Sequence, residues 1–497
     1  MKLIEILSGI KFDSRNLNDL EIRGISIDSN RVQKDFIFIA VKGAHYDGHN
    51  FIYQAIERGA CVVIVEENKL KEPLFSDNVV LIKVEDSKKI VHKIAANYYK
   101  HPSHYLDVIG ITGTNGKTTV SFILEEIFKT AEISSGLIGT VCYKIGNREI
   151  PAFNTTPDAI SIQKYIRETI DASGDVLLME ASSHGLYQGR LDGVAFDAAV
   201  FTNLGKDHLD YHLDMESYYQ AKKILFTQLL KNEAFIVVNI DDEYGKRLLK
   251  EVDGEKISYG FSSNADVRIM EYDISIKGMQ LKIKAFKEEF EIYTSIFGKH
   301  NIYNILAAIA LALRFGVKKD YILNALENFT GVKGRLEHIF GSSQVKVFID
   351  YAHTPEALKE VLFTLKNLKE GKLWVVFGCG GNRYKEKRSV MGVVAAELAD
   401  KVVITSDNSR DENPAQIIDD IIKDIGDLKE KCCIIADRKE AIEKTIVRAE
   451  KGDLILIAGK GHERYQVIGN LIIPFDDKEV ASRALVKRTM EEMANVV

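Results

Sequence analysis

The sequence predicts an α/β protein of three domains, and three observations carry that prediction. A chain of 497 residues is too long for one hydrophobic core and divides into units of roughly 100–200 residues. An apolar strand at 106–111 runs through a glycine-rich turn ending in Lys117-Thr118-Thr119 into a helix, the order a phosphate-binding loop requires. Beyond residue 333, short apolar strands alternate with mostly helical segments, the pattern of an open doubly wound sheet. The expected organisation is a small α/β domain at 1–100, a central parallel-sheet domain built on the phosphate loop at 101–333, and a doubly wound domain at 334–497.

Composition restricts the possibilities. Apolar residues make up 46% and charged residues 28%, as in globular proteins, and no apolar run approaches the length of a membrane span. The opening Met-Lys-Leu-Ile-Glu has an acidic residue inside a very short apolar stretch, which makes a poor signal peptide, so a cytoplasmic location is expected. The five cysteines, Cys61, Cys142, Cys379, Cys432 and Cys433, are odd in number and contain no C-x-x-C, so neither a disulfide framework nor a zinc site is indicated. A net charge of −6 offers no general attraction for nucleic acid, and the basic cluster at 383–388 fits a small anionic ligand better. A monomer is the expected state, although no residue pattern specifies it.

In chain order, the N-terminal third shows strands at 36–41 and 61–65 with a helix at 52–58 between them. The polar stretches 28–31 and 42–49 read as loops beside those strands, and on their own residues as ordinary surface turns. A helix ending before Pro102 places the first boundary near residue 101. In the phosphate loop, Gly113 and Gly116 let the backbone approach a polyphosphate, Lys117 supplies charge, and Thr118 stands where a magnesium ligand belongs. Only two residues separate these glycines, which is shorter than the general Walker form. Val120, Ile123, Leu124, Ile127 and Phe128 follow helical spacing behind the loop.

Glu180 directly follows a buried strand at 176–179, a natural place for a metal ligand near a phosphate loop. The strand at 198–202 leads into a loop carrying Asp207, His208, Asp210 and His212, which reads equally as a metal-binding cluster or as satisfied structural histidines. A helix is expected at 217–230. Asn301 and Asn304 open an apolar helix at 305–315, where they either cap it or contact a base. After the second boundary near residue 333, strands at 345–349, 373–377, 401–405, 432–435 and 454–457 are each followed by a polar cluster. In doubly wound sheets the carboxyl ends of the strands line the binding crevice, so these clusters point to one composite site.

The segments TGTNGKTT, NTTPD, EASSHGLYQGR, NLGKDHLDYH, GKHNIYN, GRLE, DYAHTPEAL, FGCGGNR and AGKGHE, taken together and in order through the whole chain, resemble the Mur ligase family. Within it they resemble the members that add the third residue of the muramoyl peptide. The resemblance implies an N-terminal UDP-sugar-binding domain, a central P-loop ATPase-like domain and a C-terminal Rossmann-like domain for the incoming amino acid.

It assigns Ser29, Ala44, His45 and Tyr46 to the UDP-sugar, and Asn154, Thr155, Thr156, Ser182, Gln188 and Arg190 to the muramoyl dipeptide. Gly113, Thr114, Asn115, Gly116, Lys117, Thr118 and Thr119 would hold ATP, with Asn301 at the adenine, Asp350 at the ribose and Arg335 at the transferring phosphate. Magnesium would be bound by Thr118, Glu180, His208 and Lys222, the last as a carbamate formed with carbon dioxide; on its own residues Lys222 reads as a solvated helix lysine. Catalysis would rest on Lys117, Glu180, His208, Lys222 and Arg335.

The implied reaction is ATP-dependent addition of meso-diaminopimelate to the D-Glu carboxylate of UDP-MurNAc-L-Ala-D-Glu through an acyl phosphate, in peptidoglycan precursor synthesis. Arg383, Asp407, Asn408, Ser409, Arg410, Gly459 and Glu463 would hold the amino acid. Asp407-Asn-Ser-Arg410 resembles the DNPR segment of diaminopimelate-adding members, with Ser409 for proline. Arg410 would bind the second carboxylate that L-lysine, the alternative substrate, lacks, unless it merely pairs with Asp407 or Asp411. A folylpolyglutamate synthetase-like ligase and a non-catalytic nucleotide-sugar-binding relative are the rival readings.

Overall fold

The computed structural model describes residues 1–12, 20–43, 46–69, 79–341 and 344–494. Its first sheet contains four parallel strands in sequence order, Gly24–Ser26, Phe36–Ile39, Ala60–Glu66 and Val80–Val84. Val62, Val63, Ile64 and Val65 are all buried, because helices cover both faces and leave no solvated side to require alternation.

The second sheet has eleven strands. Its middle is parallel, with Asp107–Thr112 between Phe196–Phe201 and Val176–Glu180. Every residue of Val176–Glu180 is buried, including the terminal glutamate. The apolar stripe foreseen in Lys117–Thr130 packs in one cluster with Lys299–Arg314, through Val120, Leu124, Ile305 and Ile309 among others. Both edges are antiparallel: a hairpin, Cys142–Ile145 with Arg148–Pro151, at one side, and a meander, Val267–Ser275, Gly278–Ala285 and Glu288–Thr294, at the other.

The meander lay in a stretch for which the sequence suggested no elements. Its outer strand alternates between buried and exposed positions, the signature of a half-solvated edge. The helix expected at 217–230 ends at Thr227, and Leu230 instead opens a strand. A short helix, Leu209–His212, interrupts the expected histidine loop.

The third sheet has six strands, ordered Glu337–Ile339, Lys346–Asp350, Leu454–Ala458, Leu373–Phe377, Lys401–Ile404 and Cys432–Ile434. All neighbours are parallel except the first pair. Placing the last parallel strand, Leu454–Ala458, between Lys346–Asp350 and Leu373–Phe377 brings their following loops together at the carboxyl edge. A hairpin absent from the sequence reading, Tyr465–Ile468 with Leu471–Pro474, follows. Among the described residues no helix is long and apolar enough to cross a membrane.

One buried ion pair fastens the C-terminal helix. Arg438 Nε and Nη2 donate to the two carboxylate oxygens of Asp477 at 2.8 and 2.7 Å, with both side chains fully buried. Removing one partner strands the other charge inside the protein, so Asp477→Ala is expected to destabilise this part by about 3–5 kcal/mol. Thermal unfolding should show a lower midpoint for the transition that melts the third sheet; an unchanged midpoint would contradict the assignment.

Candidate active site

The phosphate loop can only be built with glycine at its two key positions. Gly113 has φ +143 and Gly116 φ +90, and a Cβ there would lie 1.9 Å from Thr202 Oγ1 and 2.4 Å from Asn304 Oδ1 respectively. Lys117 Nζ donates to the carbonyls of Gly113 and Thr114, both at 3.0 Å. Burial pushes its pKa down, opposed by Glu180. At the end of its strand Glu180 accepts from Thr118 Oγ1 at 3.0 Å, Thr140 N at 3.0 Å and Thr140 Oγ1 at 2.8 Å. Arg335 reaches across from the other side of the cleft, its Nη2 3.2 Å from Thr118 Oγ1 and its guanidinium 4.7 Å from the Tyr351 ring centre.

Lys222 is not a solvated lysine. Its side chain is buried, Nζ donates to Gly113 O at 2.7 Å, and the Tyr218 ring centre lies 4.6 Å away. Burial, then repulsion from Lys117, lowers its pKa far below the ordinary lysine value, which favours the uncharged, nucleophilic amine. His208 adopts φ +54 with Nε2 3.4 Å from Asp207 Oδ2, and burial depresses its pKa to about 4. Although burial opposes ionisation of Asp207, His208 and His353 hold its carboxyl down to about 2.

Among the described residues no three His, Cys, Asp or Glu side chains form a ready metal cluster. Glu180, His208 and the Thr118 hydroxyl supply a single carboxylate, one imidazole and one neutral oxygen. A hard divalent ion prefers more anionic oxygen, and a carbamate on the reactive Lys222 amine would provide it.

Of the residues expected at the dipeptide, Asn154, Gln188 and Arg190 line a cavity of about 560 Å³ between the first sheet and the second, with Arg31, Tyr143 and Phe153, while Thr155, Thr156 and Ser182 line the larger cavity described below. Arg190 donates to Gln188 Oε1 through Nε and Nη2, and to Thr156 O through Nη1. Thr156 is buried and joins Glu180 O to Ser182 N, while Ser182 Oγ caps the helix Ser183–Tyr187. Thr155 Oγ1 lies 3.0 Å from Thr140 Oγ1.

Ala44 and His45 lie outside the described residues. Ser29 is buried with its hydroxyl on Gln54 Oε1, Tyr46 is largely exposed, and neither lines this cavity. Asn301 is buried, donating to Phe297 O and accepting from Asn304 Nδ2; the helix begins at Lys299 with Gly298 before it, so neither asparagine caps it. Asp350 accepts from the backbone N–H groups of Leu336 and Ala352, and burial raises its pKa.

A second cavity, of about 850 Å³, opens between the second and third sheets. Arg383, Asp407, Asn408, Arg410, Gly459 and Glu463 all line it, whereas the expected Ser409 does not. Ser409 is buried, its hydroxyl has no partner, and a Cβ on Gly381 would meet its carbonyl oxygen at 1.9 Å. Arg410 has φ +50, yet it is clamped to the hairpin: its N–H donates to Val467 O at 3.0 Å and its carbonyl accepts from Gly469 N at 2.8 Å. Among the described residues no carboxylate forms an ion pair with Arg410, whose Nη1 donates to Gly381 O at 2.8 Å. Burial, then the neighbouring Arg383, lowers its pKa, as expected of two guanidinium groups that share no anion.

Residues 21–99 match the catalytic domain of the Mur ligase family, residues 111–312 the Mur ligase middle domain, and residues 334–461 the Mur ligase glutamate ligase domain. A UDP-N-acetylmuramoyl-L-alanyl-D-glutamate–2,6-diaminopimelate ligase of Aquifex aeolicus is 44% identical over 93% of this chain and 94% of its own. The chain belongs to the Mur ligase family. A protein of Fusobacterium nucleatum with the same name as the Aquifex ligase is 42% identical over 99% of this chain and 100% of its own. A solved structure of such a ligase superposes with a TM-score of 0.68 at 31% identity, covering 98% of this chain and 99% of that one.

Several residues of this Mur ligase escaped the sequence reading. His353 faces Asp207 across the cleft at 3.9 Å, and His184 packs its ring 4.8 Å from that of His208. Both stood in quoted motifs, but only tertiary contact gives them partners. Arg388, by contrast, was read as part of the basic cluster at 383–388 that would meet an anionic ligand; it is instead fully buried and donates to both oxygens of Glu412 at 2.9 Å, and Glu412 accepts from Asn382 N at 2.6 Å, bracing the loop that carries Arg383. Arg388 holds the Glu412 carboxyl at about 2, below its ordinary 4.5.

A depressed folded-state pKa contributes stability that is complete above the unfolded value and fades as pH falls through the folded one. The wild type is therefore expected to lose stability relative to Glu412→Gln between about pH 4.5 and pH 2, read as the difference in thermal midpoint. Parallel curves for the two proteins across that window would refute this.

Proposed function

We propose that this chain catalyses ATP-dependent addition of meso-diaminopimelate to the D-Glu carboxylate of UDP-MurNAc-L-Ala-D-Glu, in the cytoplasm, where its nucleotide substrates are made. The single observation that carries the choice of amino acid is Arg410, a half-buried guanidinium lining the larger cavity with no ion-pair partner among the described residues. A second carboxylate at the far end of a diamino acid satisfies it; lysine has none to offer. The names of the relatives support the same choice.

The division near residues 101 and 334 gives three functional units: one for the UDP end, one for ATP and one for the amino acid. A sheet and a family match at the N-terminus, together with the Asp407–Arg410 segment, set this reading above a folylpolyglutamate synthetase-like one.

Arg335, which meets the Thr118 hydroxyl from across the cleft, and Lys117, held on the Gly113 and Thr114 carbonyls of the phosphate loop, neutralise the γ-phosphate as the D-Glu carboxylate attacks it, with ADP leaving. Arg190, held by Gln188, orients the dipeptide between the two cavities. The amine then attacks the acyl phosphate carbonyl, phosphate departs, and the nitrogen loses its proton to leave the peptide bond. Approach of the third sheet to the second excludes water from the acyl phosphate. Magnesium would be held by Thr118, Glu180, His208 and a carbamate on Lys222, and would supply charge neutralisation.

Two experiments test this reading. Steady-state kinetics with both diamino acids should show wild type preferring meso-diaminopimelate, and Arg410→Ala should lose about ten- to a hundredfold of that preference, the worth of a charge-assisted hydrogen bond of ~1.5–3 kcal/mol. A wild-type preference for lysine would sink the assignment. Lys222→Ala should lose most activity and regain part of it with small carboxylic acids, and 13C-labelled bicarbonate should give a carbamate resonance in wild type that this variant lacks. Near-normal turnover of Lys222→Ala would exclude the carbamate.

A further inference from the structure

Lys460 follows Gly459 at the end of the strand Leu454–Ala458, and its side chain is completely buried behind the larger cavity. An ammonium in that position is costly unless acceptors surround it, and they do. Nζ lies 3.0 Å from Glu463 Oε2, 3.2 Å from Asn408 Oδ1 and 3.6 Å from Asp407 Oδ1. The acceptors also bind one another. Asn408 Nδ2 donates to the same Glu463 Oε2 at 2.9 Å, and Asn408 Oδ1 accepts from Val467 N at 2.9 Å.

One lysine thus links three residues that line the cavity to the hairpin that also clamps Arg410. Although burial raises the Asp407 carboxyl, Lys460 and Arg438 hold it below its ordinary value. Without the ammonium, two carboxylates at the cavity wall would be left without the cation between them, and one would turn away.

We propose that Lys460 is a positioning residue for the incoming diamino acid. By engaging Glu463 Oε2 and Asn408 Oδ1 it fixes the Glu463 carboxylate in one arrangement, leaving Oε1 to receive the ammonium group of the ligand. This rests on the amino-acid site described under the proposed function and deepens it. A preorganised carboxylate binds a cation more tightly than one that must first be ordered. The loss should therefore appear in the affinity for the amino acid and not in phosphoryl transfer, since Lys460 Nζ engages Glu463, Asn408 and Asp407 and none of Lys117, Glu180 or Arg335.

The test compares wild type with Lys460→Met, Lys460→Gln and Lys460→Arg in the full chain. Kinetics are measured for meso-diaminopimelate, ATP and UDP-MurNAc-L-Ala-D-Glu, and the acyl phosphate is trapped with hydroxylamine when no amino acid is present. The expected result is a KM for meso-diaminopimelate raised at least tenfold in the Met and Gln variants. Lys460→Arg, which keeps the charge, should recover part of it. KM for the other two substrates and the rate of hydroxamate formation should stay within twofold.

An unchanged KM for meso-diaminopimelate overturns the proposal. So does a parallel rise for all three substrates, or failure of every variant to fold, since either marks a lysine that serves only the fold. A wild type that forms hydroxamate but no product with meso-diaminopimelate refutes the assigned substrate instead, separating the two failures.

Discussion

The structure turns on a buried carboxylate that cannot be left without donors. Glu180 ends a strand within the parallel part of the eleven-stranded sheet with no exposure to water, and a polar group there is tolerable only if it is hydrogen-bonded. Thr118 from the phosphate loop and Thr140 from the turn before the edge hairpin meet that need. The same Thr118 hydroxyl receives Arg335 from the start of the C-terminal third. A single electrostatic requirement therefore brings together a loop, a turn and a residue more than 200 positions away.

The third sheet applies the same rule with the signs reversed. Arg388, Arg438 and Lys460 are buried cations, each matched to carboxylates: Glu412 and Asp420, Asp477, and Glu463 with Asp407. None of the three lines the cavity wall. They stand behind it, and they make rigid the loops that present Arg383, Arg410 and Glu463. Rigid presentation matters because a guanidinium at φ +50 is held against its own backbone preference and needs surroundings that over-determine it. The hairpin Tyr465–Ile468 with Leu471–Pro474 provides that, and it compensates for the proline that Ser409 does not supply.

Much of this was legible in the residues. The phosphate loop, the two glycines that admit no side chain, the buried strands and the doubly wound C-terminal pattern all follow from local rules: spacing of apolar positions, the special backbone of glycine, and the placement of polar clusters after strands. The family resemblance identified which polar residues to watch, and the cavities collect Asn154, Arg190, Arg383, Arg410 and Glu463 as a set. The antiparallel meander was not legible, because alternation in a half-solvated edge strand is a weak signal without its neighbours.

Sequence alone determined which chemistry the chain carries, since donor type, charge and glycine position are properties of residues read one after another. Tertiary structure decided how those groups are buried and which partners they meet. It showed Lys222 as a buried amine and not a solvated lysine, Thr156 and Asp350 as satisfied by backbone partners, and Lys460 as the centre of a network. The reason is physical: the state of an ionisable group depends on its desolvation and on charges within a few ångströms, and those neighbours come from strands and loops far away along the chain.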